Sequence, residues 1–145
     1  MERREKGAKQ FHEKVVPDLT NAKLLASFQH NHAALIREFP NVTFRLYFPP
    51  FSSAYFDFLK QHAPELLPIF LQFREDIFTA VKDLPNAQLH DLQSDIALIT
   101  DLPRYSDPIH FDEKTHIEIA SAILTNSHRA SEERIAAFKT WLTTR

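Results

Sequence analysis

Two residues that can move protons lie three positions apart in the second half of the chain. Asp107 and His110 enclose Pro108 and Ile109. Histidine titrates near neutral pH, so its imidazole can take and return a proton during catalysis. A carboxylate on one ring nitrogen fixes the tautomer and stabilises the imidazolium that forms when a hydroxyl is deprotonated. Because proline restricts the turn between them, the pair predicts the orienting acid (Asp107) and general base (His110) of a serine esterase.

The same spacing has a second interpretation. The chain contains nine aspartates and eight histidines among 145 residues. Chance alone therefore gives about half an Asp-x-x-His match. In this interpretation Asp107 caps a turn ahead of a helix, and His110 is an exposed polar residue. The residue types alone leave both interpretations open.

An esterase also needs a nucleophile, and one serine follows a predicted strand. Ser52 comes directly after Pro49-Pro50-Phe51, and open parallel sheets bind ligands at the carboxyl ends of their strands. Ser52 could therefore approach His110, or it could be the N-cap of the next helix. Phe51 and Tyr55 are candidates to line a pocket beside it, with core packing as the alternative.

Composition excludes several classes of site. Gly7 is the only glycine, which rules out glycine-rich phosphate loops and dinucleotide fingerprints. The absence of cysteine removes disulfides, thiolate catalysis and cysteine metal sites. The scattered histidines have no zinc-like spacing, so we expect neither a metal nor another cofactor.

Charge and hydropathy restrict the partners. A net charge of −2 gives no electrostatic case for nucleic acid. No apolar run is long enough to predict a membrane span. The compartment stays unknown from these features.

Segments with helical periodicity alternate with runs rich in β-branched and aromatic residues. The predicted helices cover residues 19–39, 53–61 and about 64–83, with two more beginning near 112 and 131, and the predicted strands cover residues 42–48 and 87–92. Strands separated by helices predict a helix-rich α/β fold with a parallel sheet. Residues 93–111 are predicted to be irregular, and any turn that needs a positive φ is expected to use Asn or Asp.

Only two strands are predicted, and two strands leave unpaired edges. The sheet is therefore part of a larger one, pairs with a copy of the chain as a homo-oligomer, or has strands that the pattern does not reveal. The charged residues 1–18 predict a flexible head, and residues 19–145 a single domain.

The last two helices have predicted buried faces. Asp112 and Ser131 are typical N-caps for them. The residues expected to point inward are Ile117, Ala120 and Leu124 on the first helix, and Ile135, Phe138, Trp141 and Leu142 on the second.

Two segments resemble the C-terminal half of the SGNH (GDSL-type) hydrolase superfamily, over roughly residues 28–125. One is the strand turn Phe48-Pro49-Pro50-Phe51-Ser52. The other, more specific, runs Ile-Thr-Asp-Leu-Pro-Arg-Tyr-Ser-Asp-Pro-Ile-His-Phe from residue 99 to residue 111. The resemblance implies a partial flavodoxin-like sheet and places Asp107 and His110 in the superfamily's Asp-x-x-His block. It also implies an ester or acylated carbohydrate as substrate of the parent protein.

The chain departs from that superfamily in its other blocks. The Gly-Asp-Ser-like nucleophile block and the Gly and Gly-x-Asn blocks of the oxyanion hole are absent. We therefore expect residues 19–145 to be the C-terminal part of a larger esterase or acyltransferase domain, inactive alone. The competing hypothesis is a non-catalytic helical interaction or structural module that self-associates.

Overall fold

A computed structural model describes residues 19–145, and the predicted head, residues 1–18, lies outside the described part. The elements in chain order are α1 (Asn21–Phe28), a π-helical turn (Gln29–Ala33), α2 (Ala34–Glu38), β1 (Phe44–Phe48), α3 (Ser53–His62), α4 (Leu66–Val81), β2 (Ala87–Asp91), α5 (Ile96–Thr100), a 3-10 turn (Leu102–Arg104), α6 (Glu113–Leu124) and α7 (Glu132–Thr144). The fold is a helix-rich α/β fold, as the alternation of patterns predicts.

The sheet consists of two parallel strands flanked by helices. Phe44 of β1 lies opposite Ala87 of β2, and the register runs to Phe48 opposite Asp91. Two helices, α3 and α4, make the crossover that parallel strands require. The side-chain amide of Asn86 donates to backbone carbonyls of the α2 end and the loop before β1, at 2.8–3.2 Å. This amide holds the two strand starts together.

Apolar side chains pack in two main clusters, one on the sheet and one between helices. The sheet cluster comprises Phe28, Ala33, Ile36, Phe48, Val81, Ala87, Leu89 and Ile135. The helical cluster comprises Phe56, Leu71, Ile99, Phe138 and Leu142. The predicted inward face of α7 is confirmed for Ile135, Phe138 and Leu142, which are buried, with Trp141 packed against the second cluster.

The predicted buried face of α6 is wrong. Ile117 and Leu124 are 63% and 73% exposed, and Ala120 is exposed as well. The buried residues of α6 are instead Thr115, Ile119 and Ala122, with Ile119 and Ala122 packed against Leu92. Because Ile119 and Ala122 make the contact with Leu92, Ile117 and Leu124 lie on the outer side of the helix.

Residues 93–111 contain more regular structure than the sequence predicts. A single helical turn, α5, forms there because the Asp95 carboxylate caps it, accepting from the Leu98 N–H at 3.1 Å, and because Ile99 is fully buried in the helical cluster. Five residues are too few to show a helical period, so the pattern could not reveal this turn.

Among the described residues, two other than glycine have a positive φ, and both lie between α6 and α7. Asn126 has φ 57°, as expected for a chain nearly without glycine, whereas His128 has φ 54° at a position where histidine was not expected. No helix among residues 19–145 is long and apolar enough to cross a membrane.

Candidate active site

The loop that contains Asp107 and His110 is closed at its base by hydrogen bonds. Tyr105 and Phe111 form an antiparallel bridge. Inside it, the Ser106 N–H donates to the His110 carbonyl at 2.9 Å. Outside it, the Asp112 N–H donates to the Arg104 carbonyl at 2.8 Å, directly before α6 begins. The five residues within the bridge therefore have a fixed path, which determines where the two side chains point.

The Asp107 carboxylate is the centre of this loop. Its Oδ1 accepts hydrogen bonds from the Ile109 and His110 N–H groups, both at 2.9 Å. Its Oδ2 lies 2.6 Å from His110 Nδ1. The Ile109 N–H bond and the His110 contact lower the pKa of Asp107 from 3.8 to about 2. Any stability that this carboxylate contributes is thus present above pH 3.8 and is lost as the pH falls through about 2.

The pair faces solvent. The His110 side chain is 70% exposed and the Asp107 side chain 39%. With Nδ1 against the carboxylate, the other ring nitrogen, Nε2, has no hydrogen-bond partner among residues 19–145. A substrate or a nucleophile can therefore reach Nε2 directly.

The loop is attached to the Pro49-Pro50 turn at the carboxyl end of β1. The Pro108 carbonyl accepts from Ser52 twice, from its N–H at 3.0 Å and from its Oγ at 2.8 Å. The Tyr105 hydroxyl donates to the Pro50 carbonyl at 2.7 Å, and burial raises the pKa of Tyr105 to about 12. These bonds place the Asp107–His110 pair at the strand end where parallel sheets bind ligands.

Ser52 reaches the loop, yet its hydroxyl does not face His110. Ser52 is fully buried. It occupies the N-cap position of α3 without making a side-chain cap bond, because its Oγ donates to Pro108 instead. The predicted N-cap position of Ser52 is confirmed, but its hydroxyl bonds to the Pro108 carbonyl and not to a backbone N–H of the helix.

The two predicted pocket residues pack against the helical cluster. The rings of Phe51 and Tyr55 contact each other at an angle of 58°, with their centroids 5.0 Å apart. Both are half-buried, and burial raises the pKa of the Tyr55 hydroxyl. Their packing corresponds to the core alternative, and a role in lining a pocket stays a prediction.

A buried ion pair supports the Pro-Pro turn from below. The Arg74 guanidinium donates to Asp91 Oδ2 at 2.9 Å and also to the side-chain oxygen of Gln93. Gln93 in turn donates to the Pro49 carbonyl at 3.0 Å. The ring centroids of Phe48 and Phe138 each lie 4.4 Å from the Cζ atom of the Arg74 guanidinium. No local motif predicts this network, because Asp91 and Gln93 lie 17 and 19 positions from Arg74.

A second histidine–carboxylate contact was also missed by sequence reasoning. His128 Nε2 lies 3.3 Å from Asp95 Oδ2, and its Nδ1 lies 3.2 Å from Ser127 Oγ. His128 and Asp95 line a pocket of about 290 Å³, but Ser127 is not among the lining residues. A separation of 33 residues leaves no local motif from which this contact could have been predicted.

Within residues 19–145, no group of three or more histidine, aspartate or glutamate side chains is arranged to hold a metal ion. Comparisons with protein-family models, with curated proteins and with solved structures find no match for this chain.

Proposed function

We propose that Asp107 and His110 are the acid–base pair of an acyl-transfer site of the serine-hydrolase type. The observation that carries this proposal is the 2.6 Å contact between Asp107 Oδ2 and His110 Nδ1, with Nε2 left accessible. The resemblance to the SGNH superfamily, which also assigns these roles to the two residues, supports it.

The chemistry follows from which ring nitrogen the carboxylate engages. A proton on Nδ1, held by Asp107, leaves the Nε2 lone pair free to take the proton of a serine hydroxyl as its oxygen attacks an ester carbonyl. The imidazolium then returns that proton from Nε2 to the departing alkoxide. Asp107 stays ionised throughout, because its two backbone N–H bonds and His110 hold its pKa near 2, and it stabilises the transient positive charge.

The attacking serine, in this proposal, comes from a polypeptide segment other than residues 19–145. Ser52 is fully buried and its hydroxyl proton is used in the bond to Pro108. The Ser106 hydroxyl donates to the His110 backbone carbonyl at 3.2 Å, and no described serine hydroxyl is hydrogen-bonded to the His110 imidazole. The substrate proposed for the complete site is an ester or an acylated carbohydrate. The printed chain alone is proposed to lack esterase activity.

The proposal is tested with a fluorophosphonate probe, which labels activated serines, and with p-nitrophenyl acetate. We expect no labelled serine and no ester hydrolysis that depends on His110 when the wild type is compared with His110→Ala. Labelling of Ser52 that disappears in His110→Ala would contradict the proposal that the nucleophile lies outside residues 19–145. The Ser52→Ala variant identifies the labelled site, and His62→Ala, which removes another exposed histidine, is the matched control.

A positive readout comes from acylation of the imidazole itself. Diethyl pyrocarbonate modifies unprotonated histidine nitrogens, and peptide mapping reports each histidine separately. We expect His110 to react faster in the wild type than in Asp107→Asn, since the carboxylate holds the ring proton on Nδ1 and leaves the Nε2 lone pair free, while His62 reacts equally in both. Equal rates at His110 would contradict the acid–base role of Asp107.

A further inference from the structure

The outer edge of β1 carries backbone groups that no described residue pairs. The Phe44 N–H donates to the Asn86 carbonyl at 2.8 Å. In a parallel ladder, alternate residues bond to the same neighbour, so Phe44, Leu46 and Phe48 bond to β2. The N–H and C=O groups of Arg45 and Tyr47 then point away from the sheet, and none of residues 19–145 bonds to them.

The edge of β2, by contrast, is covered. The Ala130 N–H donates to the Leu89 carbonyl at 2.9 Å, and the Asp91 N–H donates to the His128 carbonyl at 2.6 Å. An isolated antiparallel bridge between His90 and Arg129 lies between these two bonds. Within residues 19–145, β1 is therefore the strand with an edge available for pairing.

We propose that β1 pairs with β1 of a second copy of this chain, antiparallel and around a twofold axis at Leu46. Arg45 of each copy then lies opposite Tyr47 of the other. Each of these two pairs exchanges two N–H···O=C bonds, as hydrogen-bonded pairs of antiparallel strands do. The result is a continuous four-stranded sheet with an isologous interface.

The outward-pointing N–H and C=O groups of Arg45 and Tyr47 favour this register over its neighbours. Moving the axis to Arg45 places two arginines directly opposite each other, which is unfavourable. Moving it to Tyr47 places Arg45 opposite Pro49, which has no N–H and whose carbonyl already accepts from Phe51 and Gln93. An axis that lies between two residues would place Arg45 or Tyr47 opposite a residue whose backbone groups are already bonded to β2.

Side chains favour a copy of the same chain in this register. Arg45 and Tyr47 are both exposed and lie on the same face of β1. Across the twofold axis each guanidinium meets a tyrosine ring, a favourable cation–π pairing that occurs twice. A charge on an edge strand normally discourages pairing. Here the Arg45 guanidinium already donates to the Gln88 side-chain oxygen on β2 at 3.2 Å, and the second copy would add a contact with a tyrosine ring.

Exposed apolar side chains extend the surface beyond the strand. Leu35, Phe39 and Val42 are 44%, 45% and 48% exposed. Val42 lies two residues before β1 and its N–H donates to the Phe39 carbonyl at 3.0 Å. In the proposed register Val42 comes level with position 50 of the second copy, at the end of the paired segment. This inference does not depend on the proposed function.

The first test is the mass of the full chain in solution, measured by light scattering over a concentration series. We expect a dimer of twice 16.9 kDa. Tyr47→Arg should weaken dimerisation about 10-fold or more, since arginine would then oppose Arg45 twice. Tyr47→Phe, which keeps an aromatic ring, should leave it nearly unchanged. A folded wild type that stays monomeric at concentrations of order 100 µM would overturn the proposal.

The second test is specific to the register. The double variant Arg45→Tyr/Tyr47→Arg restores an arginine opposite each tyrosine, so we expect it to recover the dimer that Tyr47→Arg loses. Circular dichroism confirms that each variant is folded. A double variant that is folded and remains as weak as Tyr47→Arg would exclude this register.

Cross-linking locates the axis independently of side-chain charge. The chain has no cysteine, so Leu46→Cys introduces a single thiol that lies next to its counterpart across the axis, within disulfide reach. We expect a disulfide-linked dimer under mild oxidation. Val42→Cys, four residues from the axis, should stay unlinked, and linking of Val42→Cys but not of Leu46→Cys would overturn the proposed pairing.

Discussion

Two carboxylates, Asp91 and Asp107, each contact a cationic or imidazole side chain near the Pro49-Pro50 turn, and the two pairs differ in access to water. Asp91 is fully buried with Arg74, and Gln93 connects that pair to the Pro49 carbonyl. Asp107 faces solvent with His110, and Tyr105 connects that loop to the Pro50 carbonyl.

This difference in access to water distinguishes the pair that stabilises the fold from the pair that can take part in catalysis. A buried pair has already lost its water, so removing one partner leaves an uncompensated charge in the interior. An exposed pair contributes little to folding, but its free ring nitrogen can exchange a proton with a substrate. The buried cluster thus fixes the turn, and the turn positions the exposed pair.

Asp91→Asn should have the largest effect on stability. The asparagine can keep its bond from the Ser94 N–H, but its amide would face Arg74, whose buried charge would lose its partner. We expect a loss of about 3–5 kcal/mol in the free energy of unfolding, measured with urea. Glu75→Gln, which breaks the exposed pair with Lys139 one residue from Arg74, should cost less than about 1 kcal/mol. Similar losses in both variants would remove the distinction between the regions.

The buried side of the sheet should also make stability depend on pH. Burial lowers the pKa of His90 below 6.5, and nearby Arg129 lowers it further, against the hydrogen bond to the Ser127 carbonyl. Below pH 6.5 the unfolded chain therefore binds a proton at His90 more readily than the folded chain does. The contribution of His90 to the free energy of unfolding is thus present above pH 6.5 and is lost as the pH falls below it. The slope is at most about 1.4 kcal/mol per pH unit. The free energy of unfolding, measured with urea between neutral and mildly acidic pH, should depend less steeply on pH in His90→Gln than in the wild type. An unchanged pH dependence would assign the effect to another group.

Ser52→Ala should have a smaller effect, because Ser52 connects the two regions without carrying charge. Its Oγ bond to Pro108 is lost, whereas its N–H still satisfies the same carbonyl. We expect a loss of about 0.5–1.5 kcal/mol in unfolding free energy. Ser53→Ala removes the same atom from the adjacent buried serine, which makes no side-chain hydrogen bond to the described residues, and should cost less. Equal losses would mean that the bond to Pro108 does not hold the loop.

Local patterns predicted the parts of the molecule that local interactions determine. The two strands, their parallel order and the inward face of α7 follow from periodicity and from alternation along the chain. Asp107 and His110 could be paired from sequence because only two loop residues lie between them. The exposed face of α6 could not be predicted, since the orientation of the helix depends on its packing against Leu92, which lies far from it in the sequence.

The contacts that hold the candidate site in place are long-range. Ser52 meets Pro108 across 56 positions, and Tyr105 meets Pro50 across 55. No spacing in the sequence indicates such bonds, because they depend on how the chain packs. Sequence could thus identify the acid–base pair but not the turn that supports it.

The tautomer of His110 tests the acid–base claim most directly. It is read from ¹⁵N chemical shifts of the imidazole above pH about 8, where neutral rings predominate, with His110→Gln used for assignment. We predict that the neutral His110 ring carries its proton on Nδ1 in the wild type. In Asp107→Asn the side-chain oxygen stays with the Ile109 and His110 N–H groups, so the amide NH₂ faces Nδ1 and the ring proton moves to Nε2. A wild-type ring protonated on Nε2, or the same tautomer in both proteins, would contradict the claim.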